Sequence, residues 1–475
     1  MPVDQQGLAR SSPLLVTAAL ATSCGLLLGL SGPTHAESAD VAALEQRIAE
    51  LNKELEQAKR ELAAAKRQTS AAEEKAAKAE AELATRAEPE SDKFRIGPVT
   101  IGGAMRVNYI LGSYPNGGSG PSRGGNGGNF ELDTYRINMA LSYERLAGKL
   151  EYRWYNGYNF IHTGWLGYDL AEGSQLQVGV TRVPFGPGPY GVSQSWFFDQ
   201  HYYVGLADDP DLGIKYVTEI GDWNLDLAYF VSSEWNGNGT SADSARYGYD
   251  AVSWRSAIDE NGDVVGAPVN GYQERNQVNL RAIYSFSEAA IPTDLGVSLQ
   301  YGQLEGRRAD DGSHWAASAH MVNQIGNFKL ATQLTRYEID IDDDNLLGTD
   351  ELIAMGAYDF AWPVATKAWI PAISLSYKLE TPGIPWLDYV LPYLEYSSIV
   401  KDARAFNDSQ MWTLGAAWAR GGWYIYSDFV YSDGNYFIGD DGDDYSNIYR
   451  GVGDFGVTGN DKWNYRFNIN LGYYF

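Results

Sequence analysis

The sequence predicts an all-β transmembrane fold, a 16-stranded antiparallel outer-membrane β-barrel preceded by an α-helical coiled coil. Three observations predict it. The segment WNYRFNINLGYYF (463–475) alternates large apolar and polar side chains, which is the period of a strand with two different faces. The same period recurs along the chain from residue 94 onward. Connecting segments alternate between short and long, which is typical of barrels with short periplasmic turns and long external loops.

Composition narrows the class of protein. The chain has 475 residues and a formal net charge of −25, which makes nucleic acid an unfavourable partner. Beyond the N-terminal region the sequence contains no continuous apolar run long enough for a membrane helix, which excludes a helical bundle. A mean hydropathy of −0.33 is compatible with a barrel, since each strand alternates apolar and polar residues. The single cysteine, Cys24, lies in the leader, and we expect no disulfide, metal centre or cofactor.

Residues 1–36 are predicted to be a secretory signal peptide. Arg10 precedes an apolar stretch, and the small residues Thr34 and Ala36 offer a cleavage site before Glu37. We therefore expect the chain to be exported, and the barrel to lie in the outer membrane of a Gram-negative bacterium.

Residues 37–87 are predicted to form a periplasmic coiled coil. From Val41 to Leu83, apolar or small residues recur at alternating spacings of three and four, with charged residues and Gln on the outside. A solitary charged helix is the alternative, although such a helix has no need of a continuous apolar seam. Residues 88–93 contain the helix-breaking stretch EPESD and are predicted to link the coiled coil to the barrel, residues 94–475.

The last predicted strand indicates how the barrel meets the membrane. Its apolar row runs through every second residue from Trp463 to Phe475 and is predicted to face lipid. Phe475 is a terminal aromatic, which suits recognition by the barrel-assembly machinery. An even number of strands places both ends of the barrel in the periplasm, where the coiled coil must lie.

Several segments carry a resemblance to a known family. They are the coiled coil, VPFG (183–186), MGAYDF (355–360), FNDSQ (406–410) and RFNINLGYYF (466–475). With these segments, residues 94–475 resemble the phosphate-selective porin O and P family. The resemblance implies a homotrimer of sixteen-stranded barrels embedded in outer-membrane lipid and lipopolysaccharide. It also implies that anion-selective members line the pore with arginine and lysine.

Strand parity predicts which charged residues line the lumen. Those opposite the lipid-facing rows include eight cations: Arg106, Arg136, Arg153, Lys215, Arg281, Lys329, Lys378 and Arg466. Four carboxylates share their parity: Glu144, Glu151, Asp226 and Asp428. The excess of cations predicts a positive wall that concentrates small anions. In the alternative interpretation, the charges pair across neighbouring strands and only keep the lumen wet.

The long connection after the strand ending near residue 183 is predicted to form the constriction. It is rich in proline, which opposes regular strand, and in aromatic residues that need burial. The candidate constriction residues are Trp196, Phe197, Phe198, Tyr202 and Tyr203. Folding of this loop into the lumen is favoured over packing at a trimer interface.

Two other loops, 340–345 and 439–447, are strongly acidic. The second contains Asp440, Asp441, Asp443 and Asp444, which suggest Ca²⁺ or bridging to lipopolysaccharide through divalent ions. The spacing does not match an EF-hand, so a solvated acidic loop is the preferred interpretation.

The function predicted from these features is a water-filled channel for passive diffusion of small hydrophilic solutes, with a modest preference for anions such as phosphate. One alternative is a structural protein that tethers the outer membrane to the cell wall through the coiled coil. Another is a barrel hydrolase with a Ser–His pair at the rim. The sequence has no G-x-S-x-G motif, and His162 and His320 are interpreted as strand residues, so we expect no enzyme activity.

Overall fold

The computed structural model describes residues 94–113, 128–239, 244–258, 264–268, 271–345, 347–358, 360–435, 438 and 461–475. The predicted signal peptide, coiled coil and linker lie outside the described residues, as does the acidic segment 439–447. None of the helices in the described ranges is long and apolar enough to cross a membrane.

Strands dominate the described chain. They are β1 (Phe94–Ile96), β2 (Val99–Gly112), β3 (Asn129–Tyr143), β4 (Leu146–Trp154), β5 (Asn159–Ala171), β6 (Ser174–Arg182), β7 (Pro210–Ile220), β8 (Trp223–Ser233), β9 (Asp250–Ala251), β10 (Trp254–Ile258), β11 (Val264–Pro268), β12 (Gly271–Phe286), β13 (Thr293–Arg307), β14 (Gly312–Ile325), β15 (Phe328–Asp340), β16 (Leu352–Ala357), β17 (Phe360–Ala365), β18 (Lys367–Tyr377), β19 (Leu379–Glu380), β20 (Tyr389–Lys401), β21 (Ser409–Arg420), β22 (Trp423–Asp433) and β23 (Trp463–Tyr474). A short 3₁₀ helix spans Tyr202–Val204.

The main sheet closes on itself. It contains 18 of the described strands. Two of these are short: β1 forms a hairpin with β2, and β19 pairs with β20 beyond the end of β18. The other sixteen pair antiparallel with both neighbours, and β2 pairs with β23 from Ala104↔Tyr474 to Gly112↔Arg466. The predicted 16-stranded antiparallel barrel is confirmed, and closure leaves no unpaired sheet edge.

The two faces of the barrel follow the alternation of the sequence. On β13, Leu295 and Leu299 point outward and are 51% and 50% exposed, whereas Ser298 between them points inward and is fully buried. The outer face is apolar on most strands, and the inner face is polar or small. Such an outer face is unfavourable in water and suits the hydrocarbon of a bilayer.

The two ends of the barrel differ in their connections. Five hairpins between barrel strands at one end have two-residue turns, and four of these turns contain a glycine at positive φ that suits such tight turns: Gly173, Gly221, Gly326 and Gly421. The longest connections are at the other end, as predicted. Three connections at that end are nevertheless short: 155–158, 308–311 and 402–408.

The long connections also contain structure that the alternation does not predict. Strands β9, β16 and β17 form a separate three-stranded sheet, and β10 pairs with β11. A buried aromatic cluster joins this sheet to the barrel, with members that include Tyr203, Tyr249 and Trp362. The apolar core of the molecule therefore lies among the loops at the long-loop end rather than between two sheets.

Candidate functional site in the barrel lumen

The connection between β6 and β7, residues 183–209, is called the inner loop here because it lies inside the barrel. The Gly186 N–H donates to Ser298 Oγ at 3.0 Å, on β13. Ser193 Oγ donates to Glu395 at 2.7 Å, on β20. His201 Nε2 lies 2.8 Å from Thr335 Oγ1, on β15. The inner loop thus leaves one side of the barrel and is hydrogen-bonded to the opposite wall.

The predicted constriction residues lie along this loop. Phe198, Tyr202 and Tyr203 are buried, and Trp196 and Phe197 are partly buried. The Arg466 guanidinium from β23 lies 5.5 Å from the ring centroid of Trp196, 5.6 Å from that of Phe197 and 5.5 Å from that of Phe198. Because Arg466 points inward, these rings lie inside the barrel and not on its outer surface.

Arg466 itself is only 2% exposed. Its position beneath the three rings gives cation–π contacts, which strengthen when the charge is desolvated. The structure therefore places Arg466 as an attachment point for the inner loop rather than as an accessible cation of the wall.

Four of the other predicted lumen cations pair with carboxylates. The pairs are Arg106–Asp133 at 2.6 Å, Arg136–Glu151 at 3.2 Å, Arg153–Glu151 at 2.5 Å and Arg281–Asp226 at 2.5 Å. Pairing of this kind reduces the charge that a solute meets. It corresponds to the paired lumen that the sequence left open as an alternative.

The three predicted lysines occupy different environments. Lys215 donates to the backbone carbonyl of Arg182 at 2.9 Å and lies on the inner face of β7. Lys329 and Lys378 lie near the short-turn end. Lys378 lies at the rim because β18 ends at the preceding residue, Tyr377. Its side chain is 41% exposed, and its Nζ lies 2.9 Å from Glu380 Oε1. Glu144, predicted to face the lumen, is exposed in the turn between β3 and β4.

Two further cations belong to the lumen and were missed from the sequence. Lys149 shares the inward parity of Glu151 and Arg153 on β4, so the alternation contained the signal. Arg182 ends β6 and pairs with Asp208 of the inner loop at 2.5 Å. That pair has no signal in the sequence, since it forms only when the loop folds back.

We call one side of the lumen the basic wall. Its six cations are Arg136, Lys149, Arg153, Arg182, Lys215 and Arg281, and its three carboxylates are Glu151, Asp208 and Asp226. The cations interact electrostatically with one another, Lys149 with Arg182 and Lys215 with Arg281. The basic wall therefore carries an excess of positive charge despite the pairing.

The opposite side of the lumen is acidic. Glu395 on β20 accepts hydrogen bonds from Ser193 and from the Gln194 N–H of the inner loop. Asp428 on β22 accepts from Tyr393 at 2.5 Å and from Asn468 at 3.2 Å. This side also holds Arg466, which acts on Asp428. Because the basic wall has more cations than carboxylates and this side does not share that excess, the lumen is electrostatically asymmetric.

The lumen also contains a Ser–His contact, the arrangement that the hydrolase alternative requires. His320 Nε2 lies 3.3 Å from Ser298 Oγ. The same hydroxyl accepts the Gly186 N–H, and no carboxylate in the described ranges contacts His320. A serine nucleophile needs a base held by a third group. The Ser298–His320 contact instead supports the inner loop.

The predicted assembly residue, Phe475, lies at the seam where the barrel closes. Its backbone exchanges two hydrogen bonds with Gly103, at 2.8 and 3.1 Å, and its side chain is 47% exposed. A Cβ at Gly103 would lie 2.7 Å from the Phe475 ring, so the glycine leaves space for the aromatic.

No family model matches the chain, and no curated protein matches it. Solved structures do show similarity. The outer membrane channel DcaP of Acinetobacter baumannii is 12% identical with a TM-score of 0.48, over 82% of this chain and 99% of that one. The anion-selective porin of Comamonas acidovorans is 12% identical with a TM-score of 0.48, over 79% and 99%. OmpT of Vibrio cholerae is 12% identical with a TM-score of 0.46, over 81% and 100%. At these values the similarity assigns neither family nor solute to this chain.

Proposed function

We propose that the protein is an outer-membrane porin, a channel for passive diffusion of small hydrophilic solutes. The observation that carries the proposal is the closed 16-stranded barrel with an apolar outer face and a polar, charged interior. A barrel of this size is wide enough to enclose an aqueous channel. The inner loop acts as the constriction, because it spans the lumen and is held on the opposite wall.

The channel has a modest preference for anions, phosphate among them. The basic wall supports this, since its cations outnumber its carboxylates. Arginine stays ionised at any working pH and binds phosphate through two parallel hydrogen bonds. The preference is modest because Glu151, Asp208 and Asp226 neutralise part of the wall.

The oligomeric state, the location and the assembly of the protein are part of the same proposal. The protein assembles as a homotrimer in outer-membrane lipid and lipopolysaccharide, with the coiled coil in the periplasm. Phe475 contributes to barrel assembly because it closes the seam beside Gly103. A second role, tethering to the cell wall, is favoured by the long apolar seam from Val41 to Leu83.

The test is conductance in a planar lipid bilayer. Purified protein is expected to give discrete conductance steps and, in a KCl gradient, a zero-current potential with the sign of chloride preference. Absence of conductance would contradict the channel and leave the tethering role. Discrete steps with potassium preference would keep the channel and contradict the anion preference.

A further inference from the structure

Five carboxylates meet at the long-loop end of the barrel, apart from the basic wall. We call Asp209, Asp211, Glu234, Asp250 and Glu274 the carboxylate cluster. They come from four separate stretches of the chain: residues 209–211, where the inner loop joins β7, the residue after β8, β9 and the start of β12. Their exposed fractions are 5%, 1%, 3%, 0% and 8%, so water does not solvate them.

The oxygens of the carboxylate cluster converge. One oxygen each from Asp209, Asp211 and Asp250 lies within 4.8 Å of the other two. Gly248 borders the same space. A Cβ at Gly248 would lie 2.6 Å from Asp209 Oδ1, 3.0 Å from Asp250 Oδ2 and 3.2 Å from Glu234 Oε1. The missing side chain at this position leaves room at the point where the oxygens meet.

The described part of the chain does not balance the negative charge of the carboxylate cluster. Arg246 lies 3.0 Å from Asp250 and is the one cation of the described chain that acts on all four of Asp211, Glu234, Asp250 and Glu274. Burial of several carboxylates beside a single cation is costly unless protons or a metal ion compensate for it.

Several oxygens of the carboxylate cluster also lack a partner. Glu234 Oε1 accepts the N–H groups of Tyr247 and Gly248, at 3.0 and 2.6 Å, but Glu234 Oε2 has no hydrogen bond to any residue that the structure describes. Asp209 Oδ1, Asp211 Oδ1 and Asp250 Oδ1 are likewise buried without a hydrogen-bond partner among the described residues. Buried polar atoms are almost always satisfied, so these oxygens indicate a ligand.

We propose that the carboxylate cluster binds a divalent cation, with Ca²⁺ as the preferred ion, and that the ion fixes the end of the inner loop to the connection between β8 and β12. The donors are all oxygens, which suits Ca²⁺ and disfavours metals that prefer nitrogen or sulfur. Ca²⁺ accepts six to eight oxygens in flexible geometry, whereas Mg²⁺ usually retains several waters. The site differs from the acidic segment 439–447 and does not depend on the channel function.

The experiment measures thermal unfolding of the full-length protein in detergent, by tryptophan fluorescence, with EGTA, Ca²⁺ or Mg²⁺. Binding to the folded state raises its unfolding temperature. We expect Ca²⁺ to produce an upward shift and Mg²⁺ a smaller one. In the variant Asp209→Asn/Asp250→Asn we expect the Ca²⁺ shift to be lost. In EGTA, the unfolding temperature of this variant should be no lower than that of wild type, because the repulsion between the carboxylates has been relieved.

The matched control is Asp342→Asn/Asp343→Asn, which removes two exposed carboxylates from the acidic loop 340–345. This control should keep the full Ca²⁺ shift. Calcium titration by calorimetry, and tyrosine-sensitised Tb³⁺ luminescence, provide readouts that do not depend on unfolding. If the double variant does not fold, Asp211→Asn is measured in the same way and should weaken Ca²⁺ binding.

Three results would overturn the proposal. One is a wild-type protein without a Ca²⁺ shift or binding heat, which would mean that protons compensate for the buried charge. Another is a folded double variant that binds Ca²⁺ as wild type does. The third is an equal response to Mg²⁺, which would contradict the preference for Ca²⁺.

Discussion

Asp208 and Asp209 are neighbours in the inner loop, yet they lie in opposite electrostatic regions. Asp208 faces the basic wall and pairs with Arg182 at 2.5 Å. Asp209 belongs to the carboxylate cluster, and its Oδ1 has no hydrogen-bond partner in the part of the chain that the structure describes. Both are 5% exposed, so burial does not distinguish them. The difference lies in the partners that the fold brings to each side chain.

Their pKa values move in opposite directions for this reason. Burial opposes ionisation of Asp208, but Arg182 and His162 lower its pKa below the ordinary value. Burial raises the pKa of Asp209, and the neighbouring Asp211 and Asp250 raise it further. Buried carboxylates therefore have two roles in this protein. Those paired with arginine support the basic wall, whereas those of the carboxylate cluster lack balancing charge and suit a bound cation.

The largest expected effect comes from removing the carboxylate that serves two arginines of the basic wall. Glu151→Gln leaves Arg136 and Arg153 without their common partner, and breaking a buried pair costs about 3–5 kcal/mol. The measurement is urea unfolding in lipid vesicles. Asp402→Asn is the control, because it breaks the more exposed Arg336–Asp402 pair and should cost about 1 kcal/mol or less. Equal losses would show that the wall pairs contribute no more than surface pairs.

The second prediction uses pH to separate Asp208 from Asp209. The lowered pKa of Asp208 gives stability that is present above the unfolded pKa, about 4, and is lost as pH falls. The raised pKa of Asp209 gives stability that is present below that value and is lost as pH rises. In EGTA, Asp208→Asn should therefore destabilise most near neutral pH, whereas Asp209→Asn should become less destabilising, or stabilising, as pH rises.

Unfolding free energies of the two variants, measured from pH 4 to 8, test this contrast. If both variants showed the same sign of pH dependence, Asp208 and Asp209 would not differ in their electrostatic environment as we infer. Ca²⁺ should reduce the pH dependence of the unfolding free energy of the wild-type protein at high pH, since the ion binds the ionised carboxylates.

The smallest expected effect concerns the ion preference of the channel and leaves stability nearly unchanged. Lys149 is one of the cations of the basic wall and forms no salt bridge in the described part of the chain, although Glu151 acts on it electrostatically. Lys149→Gln should reduce the anion preference in a KCl gradient and change stability by about 0.5 kcal/mol or less. Lys378→Gln, at the rim, is the matched control and should leave the zero-current potential unchanged. An unaltered potential in Lys149→Gln would assign the preference to the paired arginines.

The sequence by itself determined the barrel. Period-two alternation is a local property of each strand, so Leu295 and Leu299 on one face, and Ser298 on the other, can be assigned without knowledge of the neighbouring strands. The same local rule placed Arg106, Arg136 and Arg153 on the inner face, and it contained the signal for Lys149. Strand number and the difference between the two ends followed from counting strands and connections.

Only the tertiary structure decided how those charges are used. Parity gives the face of Arg153 but not its pairing with Glu151, which depends on side-chain direction within the closed wall. The inner loop has no periodicity, so its path to Ser298 and Glu395 depends on contacts with strands distant in the chain. The carboxylate cluster likewise forms only when four separate segments meet. A carboxylate bonded to an arginine and one repelled by other carboxylates look alike in a sequence, because their difference lies entirely in what the fold places beside them.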